Sequence, residues 1–100
     1  MHGNTAKHAK LLAVFAASHA QDLPRLAAAL AGNDLGSLKD LAHTLKGSAG
    51  TIGAMRVAEA AKALHLAVRD GAAKDSIDNC GSALIKELTA LIDAVRQAVG

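Results

Sequence analysis

Apolar residues return along this chain at three- and four-residue steps, the spacing that gathers them on one side of an α-helix. The first such run begins at about Thr5, with Leu12, Phe15, His19, Leu23, Leu26 and Leu30 in phase; residues 1–4 read as a disordered lead-in. The phase carries through Gln21-Asp22-Leu23-Pro24, so the run reads as one long helix or two nearly coaxial ones. Pro24 has no backbone N–H and predicts a kink or break just before it, with Asp22 capping the second part. Gly32-Asn33 then stops the helix and Asp34 opens the next as its N-cap.

From Asp34 to Gly53 the stripe is Leu38, Leu41, Leu45 and Ile52, flanked by Ala42 and Ala49. His43 falls opposite that stripe, among Gly36, Lys39, Asp40, Lys46, Gly47 and Gly50. Gly53 is the expected left-handed terminator of this helix. A third run, from about Ala54 to Asp70, turns Val57, Ala60, Ala61, Leu64 and Ala67 or Val68 inward, and Gly71 ends it. Asp75 is the predicted cap of a last helix reaching about Val99, with Ile77, Leu84, Leu88, Leu91, Val95 and Ala98 inward and Ile85 and Ile92 beside them. Gly81 weakens the first turns of that helix. Periodic segments joined this briefly predict an all-α fold: an antiparallel up-down-up-down four-helix bundle over residues 5–100, its first helix kinked or split near Pro24.

Composition narrows the core and the partners. The chain is 51% hydrophobic with mean hydropathy +0.22, yet holds one Phe and no Trp or Tyr, so Leu, Ile, Val and Ala must fill the interior. A net charge of +2, scattered basic residues and no aromatic platform argue against nucleic acid as a partner. No apolar run approaches the ~20 residues that cross a bilayer, so no membrane contact is expected of this domain. Cys80 is alone, which excludes an internal disulfide and suits a reducing, cytoplasmic compartment. No two histidines stand three or four residues apart, so no metal site is predicted.

The face around His43 is the anomaly. A glycine inside a helix costs roughly 1 kcal/mol relative to alanine, and this chain uses alanine freely. Gly47 and Gly50 belong either to a fraying end or close helix contact, or to a face kept clear so that another macromolecule can reach the imidazole. A neutral imidazole is a competent nucleophile toward phosphorus, and its ordinary pKa of ~6.5 leaves much of it neutral. Lys46, one turn along, would disfavour the imidazolium beforehand and stabilise a dianionic phosphoryl group afterwards; Lys39 could act likewise. Gly47, Gly50 and Gly53 match neither nucleotide-binding glycine pattern, and Asp40 alone cannot hold a metal, so no autonomous kinase activity is expected.

The string LAHTLKGSAGTIGA, Leu41 to Ala54, resembles the core motif of histidine-containing phosphotransfer (Hpt) domains, with His43, Leu45, Lys46, Gly47, Ser48 and Gly53 in register. Looser likeness extends through LLAVF and DLPRLAAALAGND. His65 departs from the pattern, standing where such domains often carry glutamate. The resemblance implies that His43 accepts phosphate on Nε2 from the aspartyl phosphate of a response-regulator receiver domain and passes it to another receiver. The domain itself would bind no cofactor, Mg²⁺ belonging to the receiver. It would act as a monomer, free or at the C-terminal end of a membrane-anchored hybrid kinase. Docking would use Gly36, Lys39, Asp40, Gly47 and Gly50, joined by Leu11 and Phe15 of the first helix. Ser48 is expected to point inward with its hydroxyl on the Thr44 carbonyl. The alternative is a helical adaptor that binds receivers without carrying phosphate.

Overall fold

Helix starts and stops in this chain are set by short-range chemistry. The computed structural model describes the backbone of residues 2–99 and the side chains of residues 9–97; Met1 of the expected lead-in and the side chains of His2, His8 and Ala98 lie outside the described residues. Among the described residues there are five helices and no strand: α1 (His2–His19), α2 (Asp22–Ala31), α3 (Leu35–Thr51), α4 (Met55–Arg69) and α5 (Lys74–Val99). α1 therefore starts ahead of the expected Thr5.

Asp34 caps α3 as the sequence predicts. Its carboxylate accepts from the Ser37 amide at 3.2 Å and from the Ser37 hydroxyl at 2.7 Å, and these bonds hold its pKa below the usual carboxylate value. Three helix ends share one device, in which the residue past the cap turns left-handed and the next amide reaches back five residues. Ala54 N–H meets the Ala49 carbonyl at 2.8 Å with Gly53 at φ 77°, and Ala72 N–H meets Ala67 at 2.9 Å with Gly71 at φ 68°. At the end of α2 the left-handed residue is Asn33 (φ 52°), not Gly32, and Asp34 N–H bonds to the Ala29 carbonyl at 2.8 Å.

Two caps differ from expectation. The chain breaks at Ala20–Gln21, and Asp22 is the first residue of α2 rather than its cap. Its carboxylate is buried, bonded to His19 Nδ1 at 2.7 Å, and Arg25 lies 3.7 Å away. The ring of His19 in turn packs on Phe15, centroid to centroid 4.5 Å. Asp22 thus fastens α2 to the end of α1, a pairing that a buried carboxylate requires. Asp75 is likewise not a cap, since α5 already begins at Lys74, whose ammonium bridges to Asp78 at 2.8 Å.

The most extensive helix contacts are α3 with α4 and α4 with α5; α2 packs on both α3 and α5, and α1 on α5. The helices pack into a body of 46 × 21 × 17 Å. Leu26, Leu38, Leu45, Leu64, Leu84 and Leu88 are fully buried, and trimming any one to alanine costs roughly 2–5 kcal/mol. Alanines fill the close approaches: Ala42 and Ala49 on α3, Ala58 and Ala61 on α4. The buried line of α3 is therefore Leu38, Ala42, Leu45 and Ala49, with Leu41 and Ile52 at its margin. In α5 it is Ile77, Leu84, Leu88, Ile92 and Val95, so Ile92 takes the place expected of Leu91.

Candidate functional site

The rotation of α3 about its axis decides what the site is. Burial of Ala42 and Ala49 turns the helix so that His43 emerges at the surface, with Gly36, Lys39, Asp40, Gly47 and Gly50 exposed around it and Lys46 half-buried. The six-membered constellation read from the sequence is thus brought together on one helix. A Cβ built on Gly47 or on Gly50 meets nothing within 4 Å. Neither glycine is there for close helix packing, and neither has a left-handed backbone. α3 stays helical through both, to Thr51, whose hydroxyl donates to the Gly47 carbonyl at 2.9 Å. That bond back to the helix is made by Thr51 where Ser48 and the Thr44 carbonyl were expected to make one.

The two flanks of His43 differ in charge. On the α4 side, Lys39 and Lys46 of α3, with Arg69 of α4, lie near enough to His65 for their charges to act on it. Toward α2 lie Asp40 and Thr44, which line a groove of about 720 Å³ together with Arg25, Asp34 and Ser37. An anion presented to His43 is therefore attracted from the α4 side. His65 is the residue that sequence reading left unassigned. Its ring centroid lies 5.6 Å from that of His43. Burial chiefly, and then Lys46, His43, Lys39 and Arg69, push its pKa below the ordinary 6.5. The signal was available: reflecting the chain about the Gly53–Ala54 turn sets His43 level with Leu64 and His65.

The first helix contributes less than expected. Phe15 is only 5% exposed and belongs to the core with its ring against His19, so it is removed from the docking surface. It sits at the α1–α2 junction, where its ring packs on the same His19 that is bonded to Asp22. Leu11 is 52% exposed and remains available, on a helix whose main partner is α5.

Among the described residues no three His, Cys, Asp or Glu side chains converge as metal ligands would, and no helix is long and apolar enough to cross a membrane. A family model described as the Hpt domain matches residues 10–98. Comparison with curated proteins and with solved structures gives no match.

Proposed function

The chain belongs to the Hpt domain family, and from that premise we propose that it is a phosphorelay intermediate with His43 as phosphoacceptor. Members of this family are phosphocarriers that work with receiver domains, so what is particular to this chain is how its residues would perform the transfer. In this reading α1 and α2 form the first, broken element of an antiparallel four-helix bundle that holds α3 with His43 outward.

A neutral nitrogen of His43 attacks the phosphorus of a receiver's aspartyl phosphate. The P–O bond breaks, its electron pair leaves with the carboxylate, and the other ring nitrogen keeps its hydrogen. The reverse sequence hands the group to a second receiver. Mg²⁺ and the activated phosphoryl group come with the partner; this domain supplies the nucleophile, a cleared approach and cationic charge. Lys46 and Lys39 stabilise the dianion electrostatically. Gly36, Asp40 and Leu11 are proposed as docking contacts. The domain would act in the cytoplasm as a monomer.

The observation that carries this reading is the open space over Gly47 and Gly50 beside an exposed imidazole. Two helix-weakening residues with no internal use are accounted for by a visitor that needs their room. Incubation with a phosphorylated receiver tests it. Acid-labile, alkali-stable label on the wild type and none on His43→Gln is the expected result. A wild-type protein that binds the receiver but stays unlabelled would instead be an adaptor.

A further inference from the structure

α4 brings a second imidazole up to His43. The two rings are 5.6 Å apart between centroids and inclined by 40°, and His65 is half-buried where His43 is exposed. The charged and titratable groups acting on His65 are Lys39, His43 and Lys46 from α3 and Arg69 from its own helix. Arg69 is itself paired with Asp70 at 2.9 Å, and among the described residues no carboxylate acts on His65. Among the described residues, α2 and α5 set no charged group against it. Burial and these cations keep its basicity below the ordinary value of 6.5, so at neutral pH the free protein carries His65 as a neutral imidazole.

A phosphoryl group on His43 reverses that balance. It places a dianion on a ring whose centroid lies 5.6 Å from that of His65, and even with the second nitrogen of His43 keeping its hydrogen the pair of rings gains a net negative charge. A nearby opposite charge favours the protonated ring, and in a partly buried place that attraction is less screened than in bulk water. An imidazolium N–H to a phosphate oxygen is among the stronger hydrogen bonds available to a side chain.

We propose that His65 is a positioning residue for the phosphoryl group on His43: it takes a proton from solvent when that group arrives, and its imidazolium N–H then donates to a phosphoryl oxygen. This rests on the phosphoacceptor role of His43. The covalent balance of the transfer is unchanged, because the proton on His65 comes from water and returns to it when the group departs. Proton and phosphoryl group then support each other's retention, as linkage requires. Mild acidification holds the group on this domain; a rise in pH favours its release to a receiver.

The test uses phosphoramidate, a small donor that needs no receiver, and NMR titration of the His65 ring before and after His43 is phosphorylated. The midpoint should lie below 6.5 in the free protein and rise by about one pH unit or more in the phosphorylated one. Alongside, the equilibrium with a phosphorylated receiver is measured across pH for wild type, His65→Gln and His65→Arg. The wild type should retain more phosphate as pH falls than His65→Gln does, and His65→Arg should retain it without that added pH dependence. Labelled His43 with a stationary or falling His65 midpoint overturns the proposal, as does a His65→Gln profile that tracks the wild type throughout. Should His65→Gln fail to fold, the wild-type titration still decides. If neither donor labels His43, the phosphoacceptor reading fails first and this proposal goes with it.

Discussion

Gly47 in α3 and Gly81 in α5 are both glycines well inside helices, and each lowers the stability of its helix by roughly 1 kcal/mol. Their surroundings are opposite. Gly47 is exposed, with nothing within 4 Å of an added Cβ. Gly81 is buried, and an added Cβ would stand 2.5 Å from Leu30 Cδ2 and 2.8 Å from Cδ1. Gly81 lies on the buried stripe of α5, between Ile77 and Leu84, where α2 sets Leu30 down. One glycine makes room for a neighbour within the fold, whereas the other leaves room that none of the described residues takes up. Only the second kind points outward to function.

The sharpest way to break this contrast is Gly47→Arg. The side chain enters open space, so helix content by circular dichroism should be kept, while phosphotransfer falls on the order of 100-fold because the approach to His43 is obstructed. An unaffected rate would remove the steric account. Gly81→Val should do the reverse. Crowding against Leu30 costs roughly 1–3 kcal/mol, read as a lower melting temperature, with the labelling of His43 intact once folded. Leu30 is half-buried and can swing aside, which favours the lower end of that range. Adding Leu30→Ala should make the two changes non-additive.

Gly47→Ala sharpens the comparison in a quieter way. A methyl group fits the open space, so stability should rise by about 1 kcal/mol with little change in transfer rate. If transfer drops sharply, the visitor comes closer to the helix backbone than a Cβ allows. The smallest expected effect is a pH dependence of folding centred on His65. In the folded protein its pKa is below 6.5, so the unfolded chain binds the proton more readily. Stability is therefore lost as pH falls through about 6.5 and levels off below the folded value. Urea midpoints across that range should be flatter for His65→Gln than for the wild type.

Some of this was legible in the chain alone. Asp34 three residues before Ser37, and Gly53 and Gly71 after periodic runs, determine where helices begin and end, because those bonds close within a few residues. The outward placement of His43 follows from the 3.6-residue period and the apolar stripe, which need no knowledge of neighbours beyond the existence of a core. The tertiary structure decided the rest. Which of Leu41 and Ala42 lies deepest, why Gly81 carries no side chain, that Asp22 is buried against His19, that Phe15 is core, and that His65 meets His43 all depend on two helices arriving at the same place. Periodicity says which side of a helix is buried; only packing says what it is buried against.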